Sequence, residues 1–231
     1  MNDRLNLPPQ FLFKRQPQHI LLLVGLVFGA IHLAQPALDG SSWRGISDTT
    51  WFRAAIAVPI VHQLMVGLVF RAQLIFSLFT KLFGKYDMVV WGFLFMPFLV
   101  LRPITSVGLG LADRGSLDGL RWLQILVGLL LLIPVAATLW SVFRYFGLAR
   151  ALGGDHFRQR YREMPLVKQG AFKYSSNAMY AFVFLLFWAI ALLTGSRAAL
   201  ASALFQHAYI WVHLFCTEEP DMRAIYGEAA G

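Results

Sequence analysis

Two adjacent glutamates, Glu218 and Glu219, follow an unbroken apolar run in the segment "CTEEPDMRAIYG", from Cys216 to Gly227. Carboxylates at the end of a buried helix can accept hydrogen bonds from amino and hydroxyl groups, stabilise a neighbouring cation or take up a proton. Adjacent acids at such a position are also typical of solvated charges that mark where a helix leaves a bilayer. The elements that position the pair therefore decide whether it does chemistry.

The composition predicts an integral membrane protein. Hydrophobic residues make up 58% and charged residues 14% of the 231 residues, against roughly 45–50% and 25% in soluble domains. Several stretches offer the roughly 20 apolar residues that a span requires. At this length we expect one compact all-α bundle rather than two domains. Residues 1–18 are polar and contain prolines, so we expect the first span, and not a cleavable signal, to direct membrane insertion.

The net charge of +8 does not indicate a nucleic-acid partner, because the basic residues are spread through short loops between apolar spans. That distribution is typical of membrane topology rather than of a phosphate-binding groove. The single cysteine, Cys216, excludes an internal disulfide, and no cluster of metal-ligand residues accompanies it. We therefore expect no nucleic-acid partner and no metal centre.

The apolar segments predict five or six transmembrane helices that end in a helical hairpin. They lie at residues 19–37, 51–71 with a continuation to 82, 87–101, 121–148, 178–195 and 198–216. The third is short, ends at Arg102-Pro103, and is followed by "SVGLGLADRGS", whose Gly108-Leu109-Gly110 predicts a helix-breaking turn or a re-entrant loop. Only Gly195 to Arg197 separate the last two segments, which indicates an antiparallel pair.

The basic residues predict the orientation. Six spans place both termini on one side, where fourteen Lys and Arg lie against six on the other, so that side is expected to be cytoplasmic. This topology brings residues 149–177 and the glutamate tail to one face as a cytosolic cap. Residues 1–148 are then N-terminal helices, and 149–231 the cofactor-binding part of one membrane domain. A bacterial inner membrane and the endoplasmic reticulum fit equally.

A family resemblance covers roughly residues 147–227. The segment "PLVKQGAFKYSSNAMY" (165–180), the hairpin after it and the "EEPDMRAIYG" tail resemble the C-terminal half of the membrane methyltransferases, which include isoprenylcysteine carboxyl methyltransferases and phosphatidylethanolamine N-methyltransferases. "NAMY" is similar to the "NPMY" form in the phosphatidylethanolamine enzymes, and "LGGDHF" (152–157) to their Gly-Asp-aromatic stretch. Ser176, Asn177 and Ala178 stand where most members have Arg-His-Pro.

The resemblance implies S-adenosylmethionine as methyl donor and a set of site residues. The implied donor-binding residues are Gly153, Gly154, Leu166, Val167, Gly170, Phe172, Tyr174, Asn177, Tyr180, Glu218 and Glu219. The two glutamates are also the implied catalytic residues, since either could take the proton of an amine nucleophile. Aromatic side chains suit an adenine ring, and glycines allow close backbone approach. Asn177 could hold an adenine edge or simply cap the fifth helix.

The implied acceptor is a lipid that enters sideways from the bilayer, while the donor enters from the cytosol. A phospholipid amine is the first expectation, and an isoprenylcysteine carboxylate the second. Two other classes remain open: a nicotinamide-dependent membrane reductase of similar architecture, for which Lys168 and Lys173 are nearby basic residues, and a catalytically inactive scaffold.

Several further polar side chains lie within or near the apolar spans, namely His32, His62, Gln63, Gln206 and His207. Such residues are costly in a membrane and often functional, yet interhelical hydrogen bonding explains them equally well. Haem ligation by two histidines is a sharper alternative that no short spacing supports. Helical spacing places His207, Trp211 and Glu218 on one face, which predicts a route between bilayer and donor, although a structural role is the first expectation for His207 itself.

Overall fold

The computed structural model describes residues 5–227, which are almost entirely helical. The helices are α1 (Gln16–Ala34), α2 (Asp48–Phe76), α3 (Leu78–Phe83), α4 (Asp87–Ala112), α5 (Arg121–Ser141), α6 (Leu148–Ala151), α7 (Gly154–Phe157), α8 (Gln159–Arg162), α9 (Leu185–Thr194), α10 (Arg197–His213) and α11 (Glu219–Tyr226). Two-residue strands β1 (Ser42–Trp43) and β2 (Ile46–Ser47) pair antiparallel. Short 3₁₀ turns cover Pro9–Phe13, Gln35–Ala37, Gly84–Tyr86 and Gly170–Lys173.

Within residues 5–227, five helical stretches are long and apolar enough to cross a membrane, and one shorter apolar helix accompanies them. The five are Pro9–Ala37, Asp48–Phe76, Leu78–Ala112, Arg121–Phe146 and Arg197–Tyr226, and the shorter one is Met179–Thr194. The prediction of an all-α membrane bundle with a closing hairpin is confirmed. The orientation stays a prediction, and Arg4, which contributes to the charge count, lies outside the described residues.

Helix α4 corrects the predicted third span. It does not end at Arg102-Pro103 but continues to Ala112, because a break inside a bilayer would leave several backbone groups without partners, whereas a proline removes one donor. The Gly-Leu-Gly stretch is not a turn either. A Cβ at Gly108 would lie 2.5 Å from the Trp51 ring, and one at Gly110 would lie 2.6 Å from Thr194 Oγ1. These glycines serve close helix packing.

The hairpin of α9 and α10 joins both halves of the bundle. Helix α1 packs against α10, α5 against α9, and α2 against α4. Gly195 adopts a φ of +65° at the turn, and the Ser196 hydroxyl accepts a hydrogen bond from the Ala199 N–H. The Asp113 carboxylate at the end of α4 accepts bonds from Ser196 Oγ at 2.6 Å and Ala198 N at 2.8 Å. These buried hydrogen bonds thus fix the start of α10.

One buried arginine ties the two ends of the described chain together. Arg71 in α2 is 1% exposed and pairs through Nε with Asp221 Oδ1 at 3.0 Å. Its Nη1 donates to the carbonyls of Leu12 and Lys14, and its Nη2 donates to Cys216 O at 2.9 Å. Helix α11 is therefore held against α2 and the N-terminal segment.

Candidate active site

Three π-helical turns lie at the same end of the bundle as the glutamates. They cover Val142–Phe146, Met179–Val183 and Leu214–Glu218. Such turns bond residue i to i+5 and occur frequently at functional sites. The last of them brings Glu218 over the residue five positions earlier, His213, which a 3.6-residue period would not align. Glu218 therefore faces the bundle interior at the end of α10.

The Glu218 carboxylate lies between a phenol and an imidazole. Its Oε1 accepts a hydrogen bond from the Tyr180 hydroxyl at 2.5 Å and lies 3.5 Å from His213 Nε2. His213 is fully buried, whereas the Glu218 side chain is 20% exposed. The Tyr180 ring packs edge-on against Trp211, with 6.4 Å between the ring centres. A partly accessible carboxylate, the phenol of Tyr180, the indole of Trp211 and the imidazole of His213 thus lie close together.

Glu219 points elsewhere. Its Oε2 lies 3.3 Å from Arg15 Nη1 and 3.8 Å from Arg223 Nη2, and its side chain is 39% exposed. Arg15 also donates to Phe215 O at 2.7 Å. The adjacent acids that the sequence treats as a pair are therefore separated, since Glu218 contacts the start of the hairpin and Glu219 contacts the N-terminal segment.

The loop 149–177 and the tail meet, as the topology predicts. The Tyr226 hydroxyl donates to Asp155 Oδ2 at 2.9 Å, and His156 Nε2 lies 3.6 Å from Asp221 Oδ2. The two loop glycines lie against protein atoms at this junction. A Cβ at Gly153 would lie 2.2 Å from the Phe70 ring, and one at Gly154 would lie 2.7 Å from Ala149 O. Gly153 allows the loop to approach α2 closely, and Gly154 allows α7 to pack closely against α6 and α8.

The segment 165–180 distributes its predicted site residues over several environments. Leu166 is 69% and Tyr174 80% exposed, and Val167 packs beside Phe172. Phe172 is buried and stacks on Phe146, with 4.9 Å between the ring centres. Gly170 has a φ of +59° and lies against Ser141, while Asn177 is half-buried and its carbonyl accepts the N–H of Tyr180. Of this segment, Tyr180 contacts Glu218 directly.

His213, which stands five residues before Glu218, is not among the site residues predicted from the sequence. Its Nε2 faces Glu218 Oε1 at 3.5 Å, its Nδ1 has no hydrogen-bond partner among residues 5–227, and its ring lies 6.1 Å from that of His19. His19 in turn bonds the Tyr209 hydroxyl at 3.1 Å. The position of His213 near the end of an apolar run could have marked it as a candidate site residue. Its alignment with Glu218 could not be predicted, because it depends on the π turn.

His207 and Trp211 pack against the preceding helical segment of the hairpin, whereas the route between bilayer and donor stays a prediction. Trp188 Nε1 donates to His207 Nδ1 at 3.1 Å, and the His207 ring lies 5.7 Å from that of Phe184. His207 is thus engaged by its neighbours in a packing role. His62 is buried with both ring nitrogens unpartnered within the described residues.

Two apolar grooves lie at the opposite end of the bundle. Apolar grooves of about 320 and 300 Å³ share Leu117 and Asp118 in their walls. The second also contains Arg197, the first residue of α10, which lies roughly 30 Å along the helical run from Glu218 at 1.5 Å per residue. Neither groove contains Glu218, Tyr180 or His213, and the arrangement of titratable side chains favours the Glu218 end.

The same region is similar to proteins of known family. Residues 123–229 match the family model described as phospholipid methyltransferase. The chain is also 28% identical over 138 residues to a phosphatidylethanolamine N-methyltransferase from Malassezia globosa, an alignment that covers 59% of this chain and 14% of that relative. No solved structure gives a significant match. The C-terminal half of this chain is thus similar to the phospholipid methyltransferases, in agreement with the resemblance of residues 147–227.

Proposed function

We propose that the protein transfers a methyl group from S-adenosylmethionine to the amine of a phospholipid, at the site around Glu218. The observation that carries the proposal is the short Tyr180–Glu218 contact inside the region that matches the phospholipid methyltransferase family. The Malassezia relative acts, by its name, on phosphatidylethanolamine, which supports an amine over an isoprenylcysteine carboxylate as acceptor.

The residues present fit the donor. Glu218 keeps an exposed fraction of 20%, and its Oε2 makes no hydrogen bond within residues 5–227, so the charge of the carboxylate can stabilise the sulfonium cation of the donor. Tyr180 and Trp211 provide aromatic surface beside it. When bound, S-adenosylmethionine supplies an electrophilic methyl group. The protein has to hold the acceptor in line and exclude water, and such positioning can lower a barrier by ~7–11 kcal/mol.

Glu218 is the proposed base. A primary ammonium headgroup must lose a proton before its nitrogen can attack, and Glu218 Oε2 is the acceptor for that proton. The Tyr180 hydroxyl fixes the carboxylate by donating to Oε1, and His213 stands behind it at 3.5 Å. Glu219 is less suited to this role because Arg15 and Arg223 already neutralise it. Glu219 instead holds the N-terminal segment at the rim of the site.

The experiment compares donor binding and methyl transfer between the wild type and two variants, in a detergent whose headgroup carries no phosphate. Calorimetric titration with S-adenosylhomocysteine should show saturable binding to the wild type that is lost in Glu218→Gln and retained in the matched neighbour variant Glu219→Gln. Transfer of labelled methyl groups to phosphatidylethanolamine should follow the same order. Absence of both binding and transfer in folded wild-type protein would refute the proposal and favour a scaffold. Saturable binding of a nicotinamide cofactor in its place would favour the reductase alternative.

A further inference from the structure

A cationic side chain in the middle of α4 has no counter-ion among residues 5–227. Arg102 is the sixteenth of 26 residues in α4, so both ends of the helix are at least about 15 Å away along its axis. It is 3% exposed and takes part in none of the ion pairs of the described residues. Arginines at such depth are rare, costly and usually functional.

The neighbours of Arg102 accept only some of the hydrogen bonds that its guanidinium can donate. Its Nε donates to Gln206 Oε1 at 3.1 Å, and its guanidinium carbon lies 4.8 Å from the Phe184 ring centre and 5.6 Å from that of Phe187. Its Nη2 is buried with no partner in the described part of the chain. A guanidinium offers five donors in a planar fork that suits the oxygens of a phosphate or carboxylate. The fork therefore retains donors for an anion.

Arg102 is also connected to the candidate active site. The Phe184 ring lies 6.3 Å from the Tyr180 ring, and Tyr180 bonds Glu218. The two ring separations limit the distance from the Arg102 guanidinium to the Tyr180 ring centre to about 11 Å. A cation thus lies at one end of this aromatic face of the hairpin and a carboxylate at the other.

We propose that Arg102 binds the phosphate of the lipid acceptor, so that a zwitterionic headgroup lies between the Arg102 guanidinium and the Glu218 carboxylate. This inference rests on the proposed function. In an aminophospholipid a two-carbon bridge separates the phosphate from the nitrogen, so an ionic contact at each end fits the limited separation. Arg102 then selects lipids by their phosphate and places the nitrogen at Glu218.

The test measures binding without turnover. Wild type, Arg102→Gln, Arg102→Lys and Gln206→Met are titrated in maltoside micelles with dihexanoyl phosphatidylethanolamine, dihexanoyl phosphatidic acid and dihexanoylglycerol. We expect Arg102→Gln to weaken both phosphate lipids by about 10- to 100-fold, the range for losing a charged hydrogen-bonding partner. Dihexanoylglycerol and S-adenosylhomocysteine should bind unchanged. Gln206→Met keeps the guanidinium and should retain phosphate binding.

Each other result overturns the proposal. Equal affinity of wild type and Arg102→Gln for phosphatidic acid would show that no phosphate binds there. A selective loss of S-adenosylhomocysteine would assign Arg102 to the donor carboxylate, and an equal loss of every ligand would indicate a packing role. If Arg102→Gln does not fold, Arg102→Lys tests the proposal in its place. A lysine cannot form the bidentate contact, so this variant should have a lower affinity for the phosphate lipids alone. Methyl transfer by the wild type is scored separately, so its absence refutes the proposed function without deciding the phosphate site.

Discussion

Removing the Arg71 guanidinium should destabilise the protein more than any surface substitution. In Arg71→Met, the Asp221 carboxylate, which is fully buried, loses its cation. The carbonyls of Leu12, Lys14 and Cys216 lose their shared donor. Breaking a buried pair from one side typically costs 3–5 kcal/mol, because an uncompensated charge is left inside. We therefore expect a loss of about 4 kcal/mol in the free energy of unfolding.

The assay is denaturant unfolding in detergent micelles, followed by tryptophan fluorescence. The matched control is Arg223→Met, since Arg223 is 59% exposed and its ion pair with Glu219 spans 3.8 Å. An exposed pair of this kind contributes up to roughly 1 kcal/mol. The double variant Arg71→Met/Asp221→Leu should lose less than the two single changes together, because it leaves no unpaired charge. If Arg71→Met costs no more than Arg223→Met, the reasoning is wrong.

Three further changes test the site and the packing. Tyr180→Phe removes the donor to Glu218 and should lower methyl transfer about 10-fold or more while the fold is kept, since a bond to a charged group is worth ~1.5–3 kcal/mol; unchanged turnover would contradict the role of the contact. Gly108→Ala places a Cβ against Trp51 and should lower the free energy of unfolding by ~1–3 kcal/mol through overpacking. The control is Gly29→Ala, whose Cβ would have no atom within 4 Å and which should be close to neutral in the same unfolding assay. Gly153→Ala combines a φ of +77° with a Cβ 2.2 Å from the nearest ring carbon and should lower both stability and donor binding, and a wild-type melting curve would refute this.

The sequence predicts the membrane class, the closing hairpin and the meeting of loop and tail, because these follow from hydropathy and connection length. It misplaces the end of α4, since Pro103 and the glycines at 108 and 110 mark helix ends in water. In a bilayer the backbone remains helical, and glycines there allow close helix contacts. Local composition alone does not separate these two uses of the same residues.

Long-range pairing explains most of what the sequence could not predict at the site. Arg71 and Asp221 are 150 positions apart, and Arg102 and Gln206 are 104 apart, so no spacing rule connects them. Glu218 and Glu219 share a residue type and a position but have different partners, which depend on the helix each one faces. His213 aligns with Glu218 only through the π turn.

The Arg71 junction also constrains how the protein is made. Its partners at Leu12 and Lys14 precede it in the chain, so they are available as soon as α2 enters the bilayer, whereas Cys216 lies 145 and Asp221 150 residues later. Throughout synthesis of the intervening helices the second span carries a half-satisfied cation, a feature that favours displacement toward the membrane surface. Release of the last helix neutralises it. A nascent chain that stops before residue 221 therefore retains an unpaired charge in its second span.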